Sequence, residues 1–331
     1  MTIHSKISAS KLERIALCPA SYRMEEGIED TVNPMALRGT LIHKLAEDLI
    51  LNQFDSTYDY QCDDEMQNIA KEYAHFVLNY LPVATEINVE EDLQPYLSKI
   101  HPDLGGYADT IILAGTDLHV FDLKTGYVKV SPKNNKQLMA YALGAWIKYQ
   151  DKEIKRIFLH IYQPMNTSMP HEVTIADIRR FEFKIAAIAN EANNPKAHMN
   201  ASSKACKYCK AKLICPELKE RANMNAKTDF DTTTLSMSEL LDMAELCTIF
   251  SDAVKDRAKD LLNNGASIQG WTLKEGRKMQ KWSEEAPNFF KIYAQAWDLK
   301  SVAAIKKLKI DIPENLVIET KAAPSLVRIE E

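Results

Sequence analysis

Asp109, Asp122 and Lys124 are the residues of this sequence with the strongest claim to chemistry. They lie in residues 105–125, GGYADTIILAGTDLHVFDLKT, which read as two strands (107–114 and 118–124) joined by a bend at Gly115 and Thr116. With that bend Asp109 and Asp122 fall opposite each other, and directly opposed residues have Cβ atoms roughly 5 Å apart. The period-2 rule puts Lys124 on the face of Asp122, together with Ile111, Leu113, Leu118 and Val120, which read as core. Two acids and a lysine at the end of an apolar face suit a hard divalent cation, with the lysine aimed at a neighbouring anion. Taken alone, they also suit a hairpin that ends in a solvated Asp–Lys pair.

Cys206, Cys209 and Cys215 form a C-x2-C-x5-C pattern followed by proline. Three thiols so close point to a soft metal or an iron–sulfur cluster, with free thiols as the plainer reading. Zinc and [4Fe–4S] both usually take four ligands. Cys62 and Cys247 fall in helical patterns and read as ordinary buried cysteines. Cys18, also followed by proline, is the better fourth ligand, and it would join the first helix to residues 206–215.

The elements that must position these groups follow in order. Residues 10–13 (SKLE) read as a capping box that opens a short helix ending at Cys18–Pro19. A helix over 35–52 carries Leu37, Leu41, Leu45 and Leu49 four apart, with His43 inside it. Next come a helix over 64–80, a strand near 85–90, the hairpin, a helix over 134–149, a strand at 156–163 and a helix over 175–194. The core order is αβββαβ, a mixed sheet with helices against it. Polar residues 223–236 read as a linker between a domain at 1–222 and a mostly helical region at 237–331. In the latter a long helix over 237–264 is capped at Ser236 to Glu239, a β-like piece covers 270–282, short helices cover 286–297 and 300–308, and the tail is loosely ordered.

The chain has 331 residues, a hydrophobic content of 46% and a net charge of −5, the composition of a globular protein with no general attraction to nucleic acid. No apolar run approaches the roughly 20 residues of a membrane span, and the N-terminus lacks a signal-peptide pattern. The expectation is a cytoplasmic protein whose six cysteines form no structural disulfides.

The ordered set of motifs resembles the PD-(D/E)XK nuclease superfamily in its RecB-like branch. Within that branch it is similar to the iron–sulfur exonucleases, including the CRISPR-associated four-cysteine family and the AddB-type subunits. The resemblance covers about residues 5–220. It rests on the S-x-S helix with Cys18–Pro19, on Gly39-Thr40-Leu41-Ile42-His43, on Gly106-Tyr107-Ala108-Asp109, on Asp122-Leu123-Lys124, on Gln137-Leu138 with Tyr141, and on the cysteine triplet. The region after 224 resembles only the tails of uncharacterised phage and prophage proteins. Two departures stand out: G-Y-A-D replaces P-D, and the second acid is Asp122 rather than glutamate.

The resemblance implies a restriction-endonuclease-like fold in which His43, Asp109, Asp122 and the Leu123 carbonyl bind Mg²⁺ or Mn²⁺. A histidine ligand favours Mn²⁺ somewhat. Lys124 would orient the attacking water or stabilise charge on phosphorus, while Gln137 and Tyr141, sharing a helix face, would contact DNA or the site. Cys18, Cys206, Cys209 and Cys215 would hold a [4Fe–4S] cluster, with zinc as the alternative. Lys129, Lys133 and Lys136 follow Lys124 with no intervening acid and suit a phosphate backbone. Arg277 and Lys278, between Trp271 and Trp282, suit single-stranded DNA or a partner protein. The implied activity is metal-dependent DNA exonuclease action on ends or single strands. Its setting would be phage recombination or end processing in a bacterial host cell, with a phage single-strand-binding or annealing protein as a further partner. A non-catalytic binding module on this fold and a four-cysteine zinc protein are the alternatives.

Overall fold

Val120, Leu118 and Ile111 on one side and Phe121, Leu123 and Ile112 on the other alternate along two strands, and all are buried. A hairpin apolar on both faces must be covered on both faces, and it is. The computed structural model describes residues 6–29, 34–55, 60–229, 234–276, 278–282, 302, 305, 312–321 and 324–328. Five strands form a mixed sheet in the order β1 (Glu86–Asp92), β2 (Tyr107–Ala114), β3 (Asp117–Leu123), β4 (Arg156–Tyr162), β5 (His171–Val173). Only β3 and β4 run parallel; the other pairs are antiparallel.

Helices α1 (Leu12–Leu17), α4 (Lys136–Lys148) and α5 (Ile175–Asn193) cover one face, where Leu138, Ala142, Ile178 and Ile185 pack with Leu118 and Val120. Helices α2 (Pro34–Ile50) and α3 (Asp64–Leu78) cover the other, where Ile42, Leu45, Tyr73 and Val77 pack with Phe121 and Leu123. The mixed α/β class and the αβββαβ order expected from the sequence are both present. Asn135 caps α4 by accepting from the Leu138 N–H at 3.1 Å, and Thr174 with Asp177 forms a capping box on α5.

Several local expectations need correction. Ser10 caps no helix: residues 9–11 form a 3-10 turn, and the Ser10 hydroxyl lies 3.1 Å from that of Ser8. The buried stripe of α2 is Ile42, Leu45, Ala46 and Ile50, while Leu37 is exposed. Steps of four advance about 400° around a helix of 3.6 residues per turn, so a strict i+4 ladder drifts off the buried face. Cys62 precedes α3, whose N-cap is Asp63.

The chain forms two compact units, Met1–Phe250 and Ser251–Glu331. The boundary lies within α7 (Met237–Asn263), because Leu246, Ile249 and Phe250 on its first half pack with Leu218 of α6 (Pro216–Asn225) and with Cys206. Sequence patterning places the junction earlier, at 223–236. In the second unit the β-like piece is real: β6 (Trp271–Lys274) and β7 (Lys278–Trp282) pair antiparallel with β9 (Ser325–Arg328) and β8 (Val317–Lys321) respectively. The tail residues read as loosely ordered thus supply both partner strands, whose pairing lies too far along the chain to be read locally. The helix expected at 286–297 lies outside the described residues, as does most of that at 300–308.

Candidate functional site

The hairpin register is the one expected, with Thr110 opposite Phe121 and Leu113 opposite Leu118. Continued by one residue it sets Asp109 against Asp122, and the Leu123 N–H donates to Asp109 Oδ2 at 2.6 Å. On the β3 side a closed ring of contacts forms. Lys124 Nζ donates to Asp122 Oδ1 at 3.1 Å and to Gln137 Oε1 at 2.9 Å, and Gln137 Nε2 donates back to Asp122 Oδ1 at 3.1 Å. Gln137 Nε2 also donates to Tyr141 Oη at 2.9 Å, one helical turn along α4. Asp122 is 1% exposed. Lys124 Nζ is also 2.8 Å from Asp122 Oδ2, so the ammonium pairs with both oxygens of the buried carboxylate.

On the other side His43 Nδ1 lies 3.4 Å from Asp109 Oδ1. His43, Glu90 and Asp109 each offer a ligand atom within 4.8 Å of the others, the one such group among the described residues. These three line a small cavity of about 10 Å³ with Tyr73 and Leu123, room for a single water or ion. They also line an open cleft of about 620 Å³ with Thr40, Lys44 and Glu47. Two motif glycines allow the close approaches this requires. A Cβ on Gly39 would stand 3.2 Å from Thr125 Oγ1, and one on Gly106 (φ +155°) would meet Ala9 Cβ at 3.1 Å and Tyr141 at 3.2 Å.

Glu90 is the site residue that the sequence reading missed. Its neighbours Val89 and Glu91 pair with Thr110 and Ala108, while Glu90 itself adopts φ +49° at the position opposite Asp109. A non-glycine residue in that region stores on the order of 1–3 kcal/mol of strain, a cost met mostly at functional sites. The expected strand at 85–90 includes this acid, but its register against Tyr107–Ala114, which sets Glu90 opposite Asp109, is a long-range pairing that no turn fixes.

The electrostatics are those of a negatively charged, partly desolvated pocket. Burial works against the charged form of His43, but the charge and hydrogen bond of Asp109 outweigh it and raise its pKa to about 8. Burial, then the Asp109 charge, pushes Glu90 up to about 7. Burial raises Asp122, opposed by Lys124 and reinforced by Asp109. Tyr141 is held well above its usual range by burial and by the two aspartates. Crowded carboxylates with a convergent histidine fit a divalent cation, which would offset their mutual repulsion. Because such a cation competes with protons at His43 and Glu90, its affinity is expected to rise between pH 6 and 8. Calorimetry of Mn²⁺ binding in buffers of different ionisation enthalpy should show proton release in this range. Binding without proton release would place the ion elsewhere.

The cysteines converge from two parts of the chain. Cys18 ends α1, and its Sγ accepts from the Asn200 N–H at 3.3 Å while the Asn200 side chain donates to Leu17 O at 2.9 Å. Cys215 caps α6, its Sγ accepting from the Leu218 N–H at 3.4 Å. Arg14 ties α1 to the same loop, reaching Tyr208 O at 2.9 Å and Glu25 at 2.5 Å, while Glu25 also accepts from the Lys210 N–H at 2.7 Å. Burial raises the Cys206 thiol, as do Cys215 and Cys18 beside it, and burial pushes Cys209 up to about 12. No three of these sulfurs fall within 4.8 Å of one another.

Of the expected DNA-binding lysines, Lys129 and Lys133 are exposed, while Lys136 is tied to Glu13 at 2.6 Å. Lys278 is exposed on β7, and Arg277 lies outside the described residues. Among the described residues no helix is long and apolar enough to cross a membrane.

Fold and site define a mixed α/β protein with an acidic candidate metal centre on a β-hairpin. The chain belongs to the family described as Protein of unknown function (DUF2800), whose model matches residues 4–321. Among solved structures it is similar to the crystal structure of SSO0001, at 15% identity over 65% of this chain and 88% of that one, with a TM-score of 0.34. It is also similar to a "Putative exonuclease" from Eubacterium rectale, at 10% identity over 70% and 91% of the two chains, again with a TM-score of 0.34. Neither likeness is strong enough to bear on activity.

Proposed function

We propose that this chain is a divalent-metal-dependent deoxyribonuclease with a PD-(D/E)XK site in which Asp109, Asp122 and Lys124 carry the reaction. The observation that supports this most is the group of ligand atoms that His43, Glu90 and Asp109 bring together, with Asp122 on the neighbouring strand buried and paired with Lys124 and Gln137. His43, Asp109, Asp122 and the Leu123 carbonyl would hold Mn²⁺ or Mg²⁺, with Glu90 as a further oxygen ligand. A bound cation there would make water nucleophilic near neutral pH and offset charge on the phosphate. Lys124 is placed to orient that water or to bind a non-bridging phosphate oxygen. Gln137 fixes the Lys124 ammonium, and Tyr141 fixes Gln137.

The four cysteines would hold a [4Fe–4S] cluster that braces α1 against residues 206–215.

The test is degradation of end-labelled single- and double-stranded DNA by anaerobically prepared protein with Mn²⁺, Mg²⁺ or EDTA. Label release is expected with metal only, and failure with every metal would overturn the reading. The same preparation should contain about four irons per chain and be brown. A colourless protein with one zinc would keep the nuclease and remove the cluster.

A further inference from the structure

β3 and β4 are parallel, and the Lys124 N–H donates to Tyr162 O at 2.8 Å, so the loops that follow them leave the sheet at the same end as Asp122 and Lys124. Ligands of α/β sheets gather at the carboxyl ends of parallel strands. These two loops present large apolar side chains to solvent: Tyr127 and Val128 are 80% and 70% exposed, and Met165 and Met169 are 103% and 85% exposed.

Gln163 is 0% exposed and holds the first loop in that posture. Its Oε1 accepts from the Val130 N–H at 3.0 Å, and its Nε2 donates to Val128 O at 2.9 Å and to Gly126 O. The Thr167 hydroxyl closes the second loop, donating to Gln163 O at 2.8 Å. A fully buried amide is thus used to fix backbone whose side chains point outward. Lys129 and Lys133 are exposed on the first loop, and residues 124–136 contain no acid.

We propose that these loops form a base-stacking platform at the mouth of the candidate site, with Tyr127 and the two methionines taking unpaired bases and Lys129 and Lys133 taking phosphates. The substrate class would then be single-stranded DNA or unpaired ends, because the bases of a duplex are already stacked and present no free face to Tyr127. Aromatic stacking with a lysine-lined backbone track is how single strands are held without sequence preference. The proposal rests on the nuclease reading of Asp109, Asp122 and Lys124 for its biological meaning, but its binding test does not.

The test measures anisotropy of labelled oligothymidine, the same strand without bases, and a duplex, each with full-length protein in EDTA at fixed salt. The wild type is expected to bind the base-bearing strand at least about tenfold tighter than the other two, and Tyr127→Ala to lose about tenfold on that strand alone. With Mn²⁺, Tyr127→Ala should raise KM by the same factor and leave kcat unchanged. Equal affinity for strands with and without bases, or no loss in Tyr127→Ala, would overturn the platform and leave the patch to a protein partner. Mn²⁺-dependent cleavage in that case would keep the nuclease reading. Base-dependent binding without cleavage by any metal would do the reverse.

Discussion

Asp109→Ala is expected to lower metal-dependent hydrolysis by at least about a thousandfold, since a positioned cation supplies several kcal/mol of transition-state stabilisation. Asp109 is the point where the two halves of the site meet. Its Oδ1 lies by His43, its Oδ2 accepts from the Leu123 N–H, and its charge raises Glu90 and Asp122. Truncation also strands the Leu123 N–H, at a cost of roughly 1–3 kcal/mol of stability. Asp109→Asn is therefore the sharper variant, because its carbonyl oxygen can keep that hydrogen bond while the charge is lost. Both variants should fail to cleave, with only the alanine lowering the melting temperature appreciably. Glu90→Gln should behave differently: more Mn²⁺ is needed for half-maximal rate, and kcat at saturating metal is largely kept. Activity of Asp109→Asn within tenfold of wild type would remove the hairpin from the chemistry.

The parts of this site that were legible in the sequence are those fixed by local rules. A bend at Gly115–Thr116 sets the register, and the register sets Asp109 against Asp122, so one local inference carried the centre of the site. Gln137 and Tyr141 were legible because i and i+4 share a helix face. Glu90 was not, because its place depends on pairing β1 to β2 and on a left-handed residue that a carboxylate side chain does not announce. Lys136 read as a phosphate contact because charge runs along the chain are visible, whereas its partner Glu13 lies 123 residues away. The Gln163 clamp was hidden for the same reason: its partners sit some 35 residues earlier, on a loop with no periodicity of its own.

Acid should destabilise the fold through His160, a residue outside the candidate metal centre. His160 and His119 sit on adjacent strands with Nε2 and Nδ1 3.0 Å apart, and His160 Nδ1 is buried without a partner. His160 stacks on Phe121 at 4.2 Å and His119 on Phe158 at 4.9 Å, with Tyr80 edge-on to His160 and tilted against His119. One proton is shared across the pair, and a second would put a charge inside an aromatic cluster. Burial, then His119, lowers the His160 pKa to about 3, and burial lowers His119, whose charged neighbours Asp117 and Arg156 oppose each other.

The unfolded chain protonates this histidine below about pH 6.5 and the folded chain does not until about pH 3, so stability is lost as pH falls through that window. By pH 5 the loss is about 2 kcal/mol. Glu90, raised to about 7, works in the opposite sense over part of the same range, since the folded state takes up its proton first. The total pH slope therefore hides the effect, and a difference isolates it. His160→Phe keeps a ring against Phe121 and Tyr80 but cannot be protonated. Relative to wild type, its urea-unfolding free energy should improve by about 2 kcal/mol between pH 7 and pH 5, whatever its stability at neutral pH. A difference that stays constant across that range would mean that His160 is protonated as readily in the folded chain as in the unfolded one.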